Sequence, residues 1–134
     1  MWRRLTPLFV APLLIASPVA ARHADPLGAG WMRFEVAAAG RTLAAAMPSE
    51  ARTGQILTVV IEGDGRAHDR HGRATADPTP DRAVGLALAE AWPGPTAWLG
   101  RPCQYVRDAA CKPADWTTHR FSEEAVAMTD AAVG

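Results

Sequence analysis

Glu62-Gly63-Asp64-Gly65 comes closest, by residue type, to a chemical site. It directly follows Ile56-Leu57-Thr58-Val59-Val60-Ile61, an uncharged and largely β-branched run. Such a run predicts a strand buried on both faces, as in a parallel sheet covered by helices. Open α/β sheets gather their ligands at the carboxyl ends of such strands. Glycines at that point let the backbone adopt φ > 0 and turn amide N–H groups inward. Inward N–H groups are what an oxyanion hole needs. Gly63, Asp64 and Gly65 are therefore the oxyanion-hole candidates, although a plain strand-exit turn accounts for the same residues.

Other reactive types are scattered. His68 and His71 flank Asp69 at a spacing that would suit a shared metal on a helix. The segment reads as a loop, however, and no second cluster completes a coordination set, so no metal is expected. His119, beside Arg120, reads as a surface or hydrogen-bonding residue instead of a base. Arg101 to Tyr105 and Trp116 to Ser122 are rich in large polar and aromatic residues. They are either loops pinned by a cysteine bridge or one wall of a substrate cleft. The sequence contains no Gly-x-Ser-x-Gly, no P-loop and no dinucleotide fingerprint, and no cofactor is implied. Ser17 lies in an N-terminal apolar stretch, Ser49 follows Pro48 and Ser122 precedes a helix, none within a recognisable triad order.

The elements that must position these residues follow an α/β rhythm. Trp31 to Val36 and Thr42 to Met47, turned at Gly40-Arg41, predict an N-terminal hairpin. After Ile56–Ile61 comes a long polar loop from Glu62 to about Pro78. Thr79-Pro80 then reads as a helix start, with threonine at the N-cap and proline at the first position. Val84, Leu88 and Ala91 would form the buried face of that helix, and Pro93-Gly94-Pro95 ends it. Thr96 to Leu99 predicts a second core strand, parallel to the first. Ser122 caps a last helix whose first turn carries Glu123 and Glu124, favourable against the helix dipole. Its expected buried face is Ala125, Val126, Thr129, Ala132 and Val133.

The N-terminus reads as an address. Arg3 and Arg4 precede an apolar stretch from Leu5 to Ala16, and Val19-Ala20-Ala21 supplies a small-residue cleavage pattern. The stretch is short of the about 20 residues a bilayer span requires. Residues 1–21 are thus expected to be a signal peptide, 22–30 a flexible lead-in and 31–134 one domain; an uncleaved anchor is the alternative. The chain of 134 residues carries 14 basic and 14 acidic side chains. Losing Arg3 and Arg4 would leave it weakly acidic, which argues against nucleic acid as a partner. Export to a periplasmic or extracellular space favours pairing of Cys103 with Cys111 over two free thiols. No stable membrane span is expected after cleavage.

Four blocks in order carry a resemblance: Val60 to Gly65, Ala76 to Pro80, Arg101 to Tyr105 and Trp116 to Glu123. Together they resemble the front part of a bacterial exported α/β-hydrolase family, from about residue 55 onward. The resemblance implies an incomplete α/β-hydrolase-like sheet with a hairpin, two core parallel strands and two helices. It implies an oxyanion N–H from Asp64, the residue after a His-Gly pair in the family, with glutamate replacing histidine here. The nucleophile, acid and base of such a hydrolase have no counterpart in this sequence, so the chain is expected to be inactive alone. Its substrate, in a complete form, would be a small acyl compound. A non-catalytic exported binding or interaction module is the alternative. In the hydrolase fold the third strand lies between the fourth and the fifth. If Ile56–Ile61 is that third strand, its outer edge is expected to be open, with low stability and a tendency to associate.

Overall fold

A computed structural model describes residues 27–50, 54 and 56–134 of the chain. Residues 1–26 lie outside the described part, and with them the expected signal peptide and most of the lead-in.

Two strands, β1 (Trp31–Ala38) and β2 (Arg41–Pro48), pair antiparallel along their whole length. Ala39 and Gly40 join them, both at positive φ (47° and 76°), the backbone that a two-residue hairpin turn requires. The turn is thus one residue earlier than Gly40-Arg41. β2 is alanine-rich for a packing reason. Leu43 and Ala45 face one side of the sheet, Ala44 and Ala46 the other, and all four are buried. Helices cover both faces, so small side chains let them approach.

β3 (Thr58–Ile61) and β4 (Thr96–Leu99) are parallel, and β4 runs antiparallel to β2. The result is a mixed four-stranded sheet in the order β1-β2-β4-β3. On one face α1 (Val84–Ala91) lies across β3 and β4, where Leu86 and Ala89 pack on Ala44, Ala46 and Trp98. On the other, α3 (Glu123–Val133) lies against β1, and Ala132 joins Leu43, Ala45 and Leu99. A single turn, α2 (Pro113–Trp116), follows the cysteine loop. The chain is therefore an α/β layer structure.

Several sequence expectations are corrected. The strand expected over Ile56–Ile61 is shorter and is not buried on both faces: Thr58, Val59 and Val60 are half-buried, and its outer edge is open as expected. Ile56 is 78% exposed and Leu57 56%, both ahead of the strand, and Ile61 is 46% exposed at its end. Thr79 does not cap a helix, because α1 begins at Val84 after Ala83, which offers no side-chain cap. Thr79 is instead buried, and its hydroxyl accepts the Tyr105 N–H at 2.9 Å.

The real cap of α1 comes from another element. The Glu62 carboxylate accepts the Gly85 N–H at 2.9 Å and the Leu86 N–H at 3.3 Å. This fixes the phase of the helix and buries Gly85, Leu86 and Ala89, leaving Val84, Leu88 and Ala91 outside. Glycine eases the approach, since a Cβ at Gly85 would make a tight contact of 3.1 Å with the Glu62 backbone.

α3 does begin at Ser122, whose hydroxyl accepts the Ala125 N–H. Its expected buried face is at best half-covered: Ala125, Thr129 and Ala132 are half-buried, while Val126 and Val133 are exposed. The loop after β3 is less polar in its packing than in its composition, for Ala67 and Pro78 are buried. Leu27 packs on the core, and the Gly28 N–H donates to Glu90, so the end of the lead-in is tied down.

Ala46 is fully buried in one cluster with Leu86, Ala89 and Trp98. Ala46→Leu should lower stability to urea by roughly 1–3 kcal/mol, the usual cost of overpacking. An unchanged midpoint would mean that α1 does not press on β2 as described.

Candidate functional site

The carboxyl ends of β3 and β4 point the same way, and their exit loops meet. Glu62 to Gly65 leaves β3, and Gly100 to Tyr105 leaves β4. Glu62 is 5% exposed and its carboxylate is saturated with donors. Besides α1 it accepts the Gly63 N–H at 3.1 Å and the Trp98 indole N–H at 3.0 Å. A carboxylate so engaged is a structural hub, not a catalytic base.

The three oxyanion-hole candidates are on the surface but differ in availability. The Gly63 N–H is taken by Glu62. The N–H groups of Asp64 and Gly65 donate to no group among the described residues. Gly65 is at φ +60°, and a Cβ there would fall 2.2 Å from the Pro78 carbonyl, so only glycine fits.

The loop after β4 is held from both sides. Gln104 is buried, its side-chain N–H donates to the Gly63 carbonyl at 2.8 Å, and its Oε1 accepts the Arg101 N–H at 3.1 Å. Cys103 and Tyr105 on either side of it have positive φ (69° and 62°), strained for side-chain-bearing residues. Cys103 is bonded to Cys111, as expected. The Arg41 guanidinium of β2 lies against both sulfurs and pairs with Asp108 at 3.0 Å and Asp115 at 3.7 Å. The cysteine loop is thereby anchored to the sheet.

Arg101 and Arg120 both pair with Asp64, Arg120 at 3.2 Å, and Arg101 also donates to the Arg120 carbonyl. Both guanidiniums lie 4.9 Å from the centre of the Phe121 ring. Beside them opens a groove of about 540 Å³, with Ile61, Arg101, Phe121, Val126 and Val133 in its walls. The two polar-aromatic stretches divide between the scaffold and the wall of this groove. Arg101, Pro102, Arg120 and Phe121 line the groove, while Cys103, Gln104 and Trp116 are buried in the scaffold. The sequence named Asp64 and the stretches that hold Arg101, Gln104 and Arg120, but not the Gln104–Gly63 bond or the pairing of both arginines with Asp64. A buried glutamine beside a cysteine, next to a tyrosine, carries no periodic signal.

The histidines stay apart from this site. His68, His71 and His119 are exposed. Among the described residues no three His, Cys, Asp or Glu side chains converge as a metal site. No described helix is long and apolar enough to cross a membrane. Asp69 closes a small hairpin loop by accepting the N–H groups of His71 at 2.8 Å and Arg73 at 2.9 Å.

No protein-family model, curated protein or solved structure matches the chain.

The Arg73 N–H is the main cause that holds the Asp69 carboxyl below the ordinary range; desolvation opposes it, and the His71 N–H and the Arg73 side chain add to it. A lowered folded pKa means that this bonding supports the loop above the ordinary value and is lost as pH falls through the folded one. Carboxyl NMR titration should find the Asp69 midpoint below 3.8, and a midpoint at or above that value would contradict the loop geometry.

Proposed function

We propose that residues 31–134 form the N-terminal part of an exported α/β-hydrolase-type domain, a serine hydrolase of acyl substrates when complete. The observation that carries this reading is the sheet order with its open edge. β3 lies beside β4, and among the described residues nothing pairs with its other side. The N–H groups of Thr58 and Glu62 point inward to Pro95 and Leu99, so the alternate groups, at Val59 and Ile61, face outward. Exposed Ile61, Val126 and Val133 adjoin that edge. A fifth strand pairing with β3 would satisfy those groups and cover those side chains.

In this reading the Asp64 N–H supplies one oxyanion donor at the exit of β3. Serine attack on an acyl carbonyl places negative charge on its oxygen, and a fixed N–H stabilises that charge as it develops. The acyl group lies in the groove beside Phe121. The nucleophile, acid and base come from residues other than those of this chain, which alone turns nothing over. The Cys103–Cys111 bond supports an oxidising, exported setting.

The test is to read the coding DNA past the Gly134 codon in all three frames. A Gly-x-Ser-x-Gly within a few dozen codons is expected. A polypeptide joining it to this chain should hydrolyse a p-nitrophenyl acyl ester and be labelled by a fluorophosphonate, whereas the 134-residue chain does neither. Clean intergenic sequence would overturn this reading in favour of a non-catalytic exported binding module. Ester turnover by the chain alone would overturn it as well.

A further inference from the structure

The peptide between Gly63 and Asp64 has a carbonyl and an N–H that point in opposite directions, as in any trans peptide. Its carbonyl is held from inside the protein by the Gln104 side chain at 2.8 Å. Its N–H is therefore directed outward, away from Gln104. The neighbouring Gly63 N–H donates to Glu62 and the Asp64 carboxylate pairs with Arg101 and Arg120, but among the described residues Gln104 is the group bonded to this peptide unit itself. Gly63 meets nothing within 4 Å where a Cβ would be, so packing does not hold it.

Gln104 is itself fixed. Its Oε1 accepts the Arg101 N–H, which settles which end of the amide is the donor. The backbone on both sides has positive φ, and the Tyr105 N–H is taken by Thr79. The Cys103–Cys111 bond and the Arg41 contacts hold the same loop from below. A fully buried amide has few alternatives once so placed.

We infer that Gln104 is a positioning residue: it clamps the Gly63–Asp64 peptide so that the Asp64 N–H faces outward and is free to bind an anionic oxygen. The inference deepens the proposed function and rests on its reading of this loop as an oxyanion site.

Gln104→Glu is the direct probe. Its carboxylate cannot donate to the Gly63 carbonyl and repels it, but it accepts an N–H. The peptide should then turn over and give its N–H to Glu. The experiment is NMR on the labelled full chain at neutral pH, following hydrogen exchange of Asp64 and the carbonyl shift of Gly63. In the unaltered chain the Asp64 N–H should exchange nearly as fast as in a free peptide. In Gln104→Glu it should slow by about tenfold or more, as expected for a bond to a charged acceptor, with sheet amides unchanged. Equal rates in the two chains, or a protected Asp64 N–H in the unaltered one, overturn the clamp.

If Gln104→Glu does not fold, Gln104→Met keeps the length and removes the donor. The Gly63 carbonyl should then lose its hydrogen-bonded shift, and an unchanged shift overturns the clamp. Acetate serves as the anion probe. It should move the Asp64 amide resonance in the unaltered chain and not in Gln104→Glu. If exchange behaves as expected but acetate has no effect, the oxyanion reading falls and the clamp stands.

Discussion

The Glu62 carboxylate ties together every element that builds the strand-exit region. It is carried at the end of β3, caps the N-terminus of α1 and accepts the indole N–H of Trp98 in β4. Without a side-chain cap of its own, α1 depends on this group for the first turn. A helix N-terminus favours a negative charge, so the same carboxylate satisfies orphan N–H groups and complements the dipole. Burying a carboxylate is costly unless it is fully hydrogen-bonded, and four N–H donors meet that condition here.

From that anchor the rest of the site follows by attachment. Glu62 fixes where the chain leaves β3, and Gly65 turns it sharply past Pro78. Trp98, fully buried and edge-on to Tyr105, links the sheet core to the loop beyond β4. Arg41 and the disulfide hold that loop against the hairpin. The outer layer, Arg101, Asp64, Arg120 and Phe121, is partly exposed, and its ion pairs contribute more to shape than to stability.

The layers of the fold were legible in the sequence to different degrees. The hairpin, the Thr96–Leu99 strand, the Ser122 cap and the cysteine pairing each depend on neighbours in sequence, and those features agree with the structure. Helix phase was not legible. Val84, Leu88 and Ala91 have the right spacing, but a cap arriving from residue 62 chose Gly85, Leu86 and Ala89 instead. Thr79-Pro80 has the composition of a helix start and was drawn into a tertiary bond to Tyr105. Ile56 and Leu57 look interior because they are apolar, yet pairing to β4 begins only at Thr58. In the candidate site, glycine placement at a strand exit pointed to the loop, while Gln104 acts through a contact 41 residues away in sequence, which no local pattern announces.

One carboxylate organises the junction of β3, β4 and α1. Glu62→Gln tests it with almost no change in shape, because an amide turns one acceptor end into a donor facing N–H groups. Urea unfolding followed by tryptophan fluorescence should show a loss of roughly 2–4 kcal/mol, in line with leaving buried donors unpaired. A loss within about 0.5 kcal/mol, the range of ordinary surface substitutions, would show that the junction is held by something else.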